Sequence, residues 1–410
     1  MLMALTTAFA LSQSYRTVAA IMATQLQRDF ALSAQALGVF AGAFHFAFGA
    51  LQLFMGIGID LHGIRRTVLV VFPLAVVGAV LSAMSQQFWL LVIGQVLIGI
   101  GCAPAFLVCT VFIARQFPAA RFAAVSGMTL GLGSIGMLLT GTPLAWLIDQ
   151  SSWRTGFVAL AGASALAWLA IVWLVHEPAP AAPAAETPGV APPPRPTVMA
   201  ALRSYGALFS LPHTLGIVAL AAVTYAAFIS LRGLWLGPLL IERHGFSLVQ
   251  SGNVALLVSV VGMFGPALFG RLDPGEARRR RWIVGFTVAV AALFAAMAID
   301  PGAPIDIGAS VLVGVLSGYI VLQYADVKAA YPAAMTGRAM AVFTMAMFLG
   351  VAAMQWLTGV VASAALARGV DPFLAVLATI AVLLLAGAGA FRWLPAPAGS
   401  RPDQAGGAGG

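Results

Sequence analysis

Long apolar stretches follow one another along this 410-residue sequence, separated by short segments that hold most of its charged residues. Each stretch is about as long as the roughly 20 residues that a helix needs to cross the hydrocarbon core of a bilayer. Only 8% of the residues are charged, whereas soluble domains have about 25%. Such a chain cannot cover a soluble fold with polar surface. We therefore expect an all-α polytopic membrane protein with no room for a separate soluble catalytic domain.

Twelve stretches are bounded by charges or by Pro and Gly clusters and predict twelve transmembrane helices. Six lie at 4–24, 36–57, 67–86, 89–113, 122–145 and 154–175. The other six lie at 213–240, 248–270, 282–299, 306–328, 338–362 and 372–394. Residues 176–204 contain eight prolines, which exclude a packed helix and predict a semi-rigid cytoplasmic linker. The predicted domains are a six-helix bundle over 1–175, this linker, a second six-helix bundle over 205–394 and a disordered cytoplasmic tail over 395–410.

The positions of the basic residues predict the orientation of the chain in the membrane. The sequence has 21 Lys and Arg against 13 Asp and Glu, a net charge of +8. If the N-terminus is cytoplasmic, the inside segments hold fifteen basic residues and the outside segments four, Arg28, Arg154, Arg243 and Arg368. This asymmetry obeys the positive-inside rule. We therefore predict an inner-membrane protein with both termini in the cytoplasm. We expect these positively charged segments to lie beside the lipid bilayer and not to bind nucleic acid.

An internal repeat relates the two halves of the sequence. Arg16 lies fourteen residues before Phe30, and Arg232 lies fourteen residues before Phe246, so the two pairs are 216 residues apart. One span later, the segment GIGIDLHGIRR after the second stretch is similar to GRLDPGEARRRR after the eighth. Matched spacings of this kind predict that the first and seventh helices occupy equivalent positions in two parallel halves.

The loop after the second stretch resembles the loop signature of the major facilitator superfamily. The matching residues are Gly56, Asp60, Gly63, Arg65 and Arg66, whereas Leu61 and Ile64 stand where basic residues are usual. The second copy keeps Gly270, Asp273 and the cluster Arg278 to Arg281. The resemblance implies two pseudo-symmetric six-helix bundles that rock in alternating access, in a monomer. It also implies a gating role for Asp273 and the five matching residues, which would latch the cytoplasmic side.

Arg16 and Arg232 are the two basic residues that fall inside predicted spans. A cation at the centre of a span costs about 2.5 to 3.5 kcal/mol on insertion scales, so such a residue suggests a function. At 1.5 Å per residue both lie roughly 14 Å below the predicted outer boundary. No acidic residue is predicted at that depth, and guanidinium groups bind carboxylate or phosphate through a rigid fork of donors. We therefore predict that both arginines face one central cavity and bind a small organic anion.

The same pair of arginines resembles the anion site of the organic-phosphate antiporter branch of this superfamily, in which the first and seventh spans each supply one arginine. Helical spacing adds polar and aromatic neighbours. The predicted substrate-binding set is Arg16, Arg232, Gln13, Tyr15, His45, Gln52, Tyr225, Trp235, Tyr319, Gln323 and Gln355. An alternative explanation is that each polar residue only forms hydrogen bonds between helices. Each arginine would then either extend its charged group to the membrane surface or donate to helix carbonyls. His45 either carries a coupling proton, donates a hydrogen bond to the anion, or is a packed histidine without a transport role.

Two other classes of function compete with anion transport. A proton-coupled drug exporter shares the fold but needs a membrane carboxylate, and none is predicted in the first span. An integral-membrane enzyme needs a nucleophile with its base or clustered metal ligands, whereas the five histidines are scattered. Cys102 and Cys109 indicate neither a disulfide framework nor a metal site. We predict a secondary transporter, a symporter or antiporter of a carboxylate or phosphorylated metabolite coupled to a proton or counter-anion, without enzymatic activity, cofactor or metal.

Overall fold

The computed structural model describes residues 1–177, 206, 208–300 and 302–395, without the side chains at 60, 119–120, 122–124 and 333–334. Within these residues, eleven helices are long and apolar enough to cross a membrane. They are α2 Ala34–Ile59, α3 Leu61–Met84, α4 Phe88–Gln116, α5 Val125–Asp149, α6 Trp153–Leu174, α7 Thr214–Arg243, α8 Leu248–Arg271, α9 Glu276–Ala298, α10 Ala303–Ala330, α11 Met335–Leu366 and α12 Pro372–Trp393. Helix α1, Leu2–Phe30, precedes them; its 29 residues suffice to span, but Ser12, Gln13 and Arg16 make its middle polar. The twelve predicted spans are therefore confirmed.

The first six helices pack against one another, and so do the last six. In the first half, α1 contacts α4, α5 and α6, and α3 contacts α4 and α6. In the second half, α12 contacts α7, α9 and α11, and α8 contacts α10. Small residues allow close approach, since a Cβ added at Gly94 of α4 would lie 2.8 Å from the carbonyl oxygen of Gly78 on α3. The fold is the predicted pair of six-helix bundles.

The two bundles meet along three pairs of helices, α2 with α11, α5 with α8, and α1 with α7. We call the α2–α11 contact the first seam and the α5–α8 contact the second seam. In the first seam, the backbone N–H of Gln35 donates to Ser363 Oγ at 2.9 Å. In the second seam, Thr142 Oγ1 donates to Asn253 Oδ1 at 2.6 Å. Both bonds lie at the predicted outer end, so this end is closed by contacts between the halves.

Irregular backbone interrupts two of the helices at these contacts. Helix α5 breaks at Thr140 and Gly141, between the segments Ala119–Leu139 and Thr142–Asp149. Such a break leaves the last carbonyls of the first segment without partners in the helix. Helix α7 contains π-helical turns, one of which, Leu231–Trp235, carries Arg232. Turns of this kind are rare and are often found at functional sites.

The predicted linker and tail fall almost wholly outside the described residues, which include only His176, Glu177 and Pro395 of these two segments. Glu177 follows α6 and contacts the start of α3 through its carboxylate. The predicted boundaries of the two domains, the linker and the tail stay predictions.

Candidate functional site

Arg16 lies where the two halves of the protein meet. Its guanidinium carbon is 4.7 Å from the ring centroid of Phe48 on α2 and 4.7 Å from that of Phe348 on α11. The cation therefore lies against two adjoining aromatic rings, one from each half, whose centroids are 4.4 Å apart. Contacts of this geometry are worth about 0.5 to 2 kcal/mol, the larger value applying to desolvated pairs. The side chain is nearly fully buried, with 6% of its surface exposed.

The hydrogen bonds of Arg16 also come from both halves. Its Nη1–H donates to the Tyr225 hydroxyl of α7 at 3.3 Å, and its Nη2–H donates to Ser12 Oγ at 3.5 Å. Its Nε–H is buried and has no partner. In the part of the chain that the structure describes, Arg16 forms no ion pair with a carboxylate. A buried cation with spare donors and no counter-charge has the chemistry that an anion requires.

His45 and Gln355 extend this site toward the predicted outer end. The His45 ring stacks on Phe348, with centroids 6.4 Å apart and planes inclined by 14°. Its Nδ1 lies 3.2 Å from the carbonyl oxygen of Ala41, whereas its Nε2 is buried without a partner. Gln355 lies close enough to His45 for a weak side-chain contact, but neither polar atom of its buried amide has a partner at normal hydrogen-bond distance. Buried polar atoms are nearly always hydrogen-bonded in native proteins, so this group of unpaired atoms calls for an explanation.

Arg232 takes a different direction from Arg16. Its side chain is fully buried and its Nε–H donates to Ala255 O at 3.1 Å and Ser259 Oγ at 2.9 Å, both on α8. Its Nη2–H donates to Met137 O at 3.1 Å and more weakly to Thr140 O at 3.5 Å. Nη1 has no partner. Arg232 thus lies in the second seam and joins the two halves there.

The carbonyls that Arg232 reaches are those left free by the break in α5. A cation at the C-terminal end of a helix is favourable because the last carbonyls carry partial negative charge. The backbones of α1 and α7 do cross closely, since a Cβ added at Gly233 would lie 2.8 Å from the carbonyl oxygen of Arg16. The two side chains then diverge, Arg16 into the first seam and Arg232 into the second. The two guanidinium groups share no partner among the described residues, and a site formed by both remains a prediction.

Two predicted binding residues form hydrogen bonds inside one bundle. Tyr15 shares a hydrogen bond of 3.0 Å with Ser164 of α6. Tyr319 shares one of 2.9 Å with Thr287 of α9. Both phenols are buried, and these bonds explain them as links between helices.

Trp235 and Gln52 also have partners away from Arg16. Trp235 donates Nε1–H to Thr358 Oγ1 of α11 at 2.9 Å, across the two helices α7 and α11. Gln52 donates to the carbonyl oxygens of Phe48 and Ala103 at 3.4 and 3.3 Å. Ala103 lies in a break of α4, between segments ending at Cys102 and starting at Ala105. Gln52 therefore satisfies a carbonyl that the break leaves free.

Gln13 and Gln323 are buried and only partly satisfied. Gln323 Oε1 accepts a hydrogen bond of 3.1 Å from Thr224, the residue before Tyr225, while its Nε2 has no partner. Gln13 Oε1 is likewise unpaired. The structure thus brings Tyr225 to Arg16, and His45 and Gln355 to the same seam. Phe48 and Phe348 were missed, because nothing local in the sequence tells that α2 packs on α11.

The predicted gating loop is anchored within the first bundle. Gly63, near the start of α3, has φ of +83° and interrupts the helical backbone there, and this left-handed conformation favours glycine. Beyond it, the backbone N–H groups of Ile64 and Arg65 donate to the Glu177 carboxylate at 3.0 and 2.9 Å. The Arg65 guanidinium in turn donates to Val175 O at 2.7 Å. Glu177 therefore caps α3, a role that its position in the predicted linker concealed.

The other residues of this loop give less information. Gly56 has ample space, since an added Cβ would meet only Leu107 at 4.0 Å. Arg66 is exposed, and the side chain of Asp60 lies outside the described part. The gating role of these residues stays a prediction.

The second copy of the loop contains a well-formed ion pair. Arg279 donates Nε–H to Asp273 Oδ1 at 3.0 Å and Nη2–H to Asp273 Oδ2 at 2.8 Å. The Arg279 guanidinium, aided by the backbone N–H of Gly275, lowers the pKa of Asp273 below its usual range. The next residue, Arg280, donates to Asp326 of α10 at 3.2 Å. These contacts fix the loop to the second bundle, as Arg65 fixes the first loop to the first bundle.

A group of charged residues at the predicted outer end offers possible metal ligands. Ligand atoms of His244, Asp300 and Asp306 lie within 4.8 Å of one another. However, His244 Nε2 lies 2.8 Å from Asp306 Oδ2, and Arg243 pairs with Asp306 at 3.8 Å and also with Asp371. The arrangement is explained as an ion-pair network that joins α7, α10 and α12.

Comparisons with known proteins agree with this architecture. A family model described as Major Facilitator Superfamily matches residues 4–355. The hexuronate transporter of Bacillus subtilis is 24% identical over 264 residues, which cover 62% of this chain and 59% of that protein. The probable sulfoacetate transporter of Cupriavidus necator is 25% identical over 148 residues, 36% of this chain and 34% of that protein. A probable sugar efflux transporter of Helicobacter pylori is 24% identical over 216 residues, 52% of this chain and 51% of that protein.

The chain thus spans between about a third and three fifths of the length of these relatives. Solved structures align over nearly their full length. A D-xylose-proton symporter has a TM-score of 0.71 at 16% identity, covering 96% of this chain and 97% of that one. The nucleoside transporter NupG has a TM-score of 0.73 at 14% identity, covering 95% and 98%. At these identities the likeness concerns the fold.

Proposed function

Because the chain belongs to the major facilitator superfamily, we propose that it carries a small organic anion across the membrane by alternating access and binds the anion at Arg16. That it is a multi-pass membrane transporter and not an enzyme follows from the family and from its transporter relatives. The anion, the site and the orientation in an inner membrane are the proposal. The fifteen-to-four distribution of basic residues supports the orientation.

The observation that carries the proposal is the surroundings of Arg16. The cation has no carboxylate partner among the described residues, and its contacts come from Phe48 of the first half and from Phe348 and Tyr225 of the second. An anion bound there would interact with both halves at once. A ligand shifts a conformational equilibrium only if it binds one conformation more tightly than the other. An anion that contacts both halves binds more tightly when the halves are together than when they are apart. Hexuronate and sulfoacetate, named in two relatives, are both anions.

The competing proposal is proton-coupled export of cationic drugs. It requires an acidic residue at the binding site. Asp306 and Asp326 are engaged by Arg243 and Arg280 near the ends of α10, and Glu242 is exposed at the end of α7. An unpaired arginine at the centre repels a cation. The geometry therefore favours an anion.

Uptake into proteoliposomes tests the proposal. Purified protein is reconstituted and assayed with radiolabelled monocarboxylates, dicarboxylates, sulfonates and sugar phosphates under imposed proton and counter-anion gradients. We expect Arg16→Ala to abolish uptake and Arg16→Lys to impair it strongly, because lysine lacks the planar fork of donors. Arg28→Ala is the matched control, since Arg28 is an exposed arginine on the same helix. Undiminished anion uptake by Arg16→Ala, or thermal stabilisation by lipophilic cations alone, would overturn the proposal.

A further inference from the structure

We propose that the anion carried at Arg16 is a hydroxylated monocarboxylate, a molecule with one negative charge at one end and hydroxyl groups at the other. The inference rests on the proposed function, since it names the substrate class of the same site. It follows from the number of free charges in the site and from the kind of polar atoms left without partners.

The number of free charges in the site favours a monoanion. Arg16 supplies one positive charge with spare donors. Arg232 is fully buried, and its Nε and Nη2 donors are already used by oxygen atoms of α8 and α5. An anion with one charge is neutralised by Arg16, whereas a second negative charge would be buried without a partner at high cost. If Arg16 and Arg232 instead formed one site, that site would prefer dianions.

The unpaired atom of His45 requires a hydrogen-bond donor. A carbonyl oxygen can only accept, so the 3.2 Å contact with Ala41 O assigns the proton to His45 Nδ1. In the neutral ring, Nε2 is then an acceptor, and it is buried without a donor. A substrate hydroxyl supplies the missing donor.

Gln355 completes the same group of atoms. Its amide presents one acceptor and two donors, and both its oxygen and its nitrogen are buried without partners. It lies seven residues after Phe348 on α11, hence on the same face of that helix, and beside His45. A hydroxyl group both donates and accepts, so it satisfies His45 Nε2 and Gln355 together. An alkyl chain would leave at least one of these atoms unsatisfied, even where Gln355 contacts His45.

Matched ligands and isosteric variants test the inference. The six-carbon set is gluconate, hexanoate, glucarate and glucose, and the three-carbon set is lactate, propionate, malonate and glycerol; affinity is measured by thermal stabilisation and by competition for uptake. In at least one set, we expect the hydroxylated monocarboxylate to bind at least about tenfold more tightly than its deoxy and dianionic counterparts, since an unsatisfied buried group costs more than 1 kcal/mol. The uncharged member should not bind.

Variants of His45 separate this inference from the proposed function. His45→Asn keeps a donor near Ala41 but lacks an atom at the Nε2 position, and His45→Gln retains one there. We expect His45→Asn to bring the hydroxylated-to-deoxy affinity ratio close to one and His45→Gln to preserve most of it. His176→Asn, at an exposed histidine, should leave the ratio unchanged. If His45→Asn does not fold, Gln355→Leu takes its place with the same expectation.

The outcomes of this experiment are distinct. Tighter binding of glucarate and malonate, or a ratio that His45→Asn and Gln355→Leu leave unchanged, overturns the inference while anion binding at Arg16 stands. Binding that is unaffected by Arg16→Ala overturns the proposed function itself.

Discussion

Arg232 on α7 donates its Nη2–H to the backbone carbonyl of Met137 on α5, 3.1 Å away and in the other half of the protein. The same side chain is bonded to Ser259 of its own half. One guanidinium therefore bridges the second seam. For the predicted outer end to open, α5 and α8 must separate, and these bonds must then be replaced.

Loss of the Arg232 side chain should loosen this seam. Each hydrogen bond from a charged donor is worth about 1.5 to 3 kcal/mol, so Arg232→Met should lower the thermal unfolding temperature clearly. Cross-linking of a Thr142→Cys, Asn253→Cys pair should also become slower, because the outer contact is populated less. Arg28→Met serves as the control at an exposed position. The alternative outcome is that Arg232→Met leaves stability unchanged but abolishes anion binding as completely as Arg16→Ala does. A site formed by both arginines would then be the better description.

The first seam should be sensitive to a single methyl group. A Cβ added at Gly38 of α2 would collide with the carbonyl oxygen of Gln355 on α11, whereas one at Gly131 of α5 would meet nothing within 4 Å. Overpacking typically costs about 1 to 3 kcal/mol. We expect Gly38→Ala to reduce both unfolding temperature and uptake, and Gly131→Ala to change neither. Equal behaviour of the two variants would show that the seam is not packed as described.

The cap on α3 should contribute measurably to stability. Glu177 accepts the N–H groups of Ile64 and Arg65, and removal of a side chain that caps a helix N-terminus costs about 1 kcal/mol. Glu177→Ala should therefore lower the unfolding temperature, and Glu177→Gln should lower it less, because its amide retains one acceptor oxygen. No difference between wild type and Glu177→Ala would mean that the cap is replaced by water.

The Asp273–Arg279 pair should make stability depend on pH at the acidic end. The pKa of Asp273 is lower in the folded protein than in the unfolded chain, where it is about 3.9. The ion pair therefore adds fully to the free energy of unfolding above the unfolded pKa. This contribution is lost as the pH falls through the folded pKa. The pair is partly exposed, and about 0.2 to 1 kcal/mol is expected at neutral pH. Unfolding of Asp273→Asn should differ from wild type at pH 7, and the difference should shrink below pH 4.

A matched variant makes this measurement specific. Glu276→Gln removes an exposed carboxylate close to Asp273 and should give a much smaller difference at pH 7. A difference for Asp273→Asn that persists unchanged into strong acid would contradict the assignment to this ion pair.

The sequence predicted the helices well because apolar length is a local property. The twelve stretches and the polar residues inside them could be located without tertiary information, and Arg16 stood out because a cation is costly there. The same reasoning placed Arg232 within α7, where it is buried. It could not give the direction of the side chain, because the break in α5 and the π-helical turn that aim it depend on packing between helices.

Partners distant in sequence were also beyond prediction. Phe48 and Phe348 both contact the Arg16 cation although they belong to different halves. Glu177 belongs to a segment whose prolines suggested only a linker, yet its carboxylate reaches Ile64, 113 residues earlier. Composition indicates whether a segment can form a helix. It does not indicate which distant backbone groups the Glu177 carboxylate accepts hydrogen bonds from.

The polar middle of α1 has a consequence for biosynthesis. Ser12, Gln13 and Arg16 are buried by other helices in the finished protein, but α1 leaves the ribosome before α2 and the rest exist. The insertion machinery then meets a segment in which one arginine alone costs about 2.5 to 3.5 kcal/mol. Stable insertion of α1 therefore depends on helices made later, so membrane integration and bundle assembly are coupled for this segment.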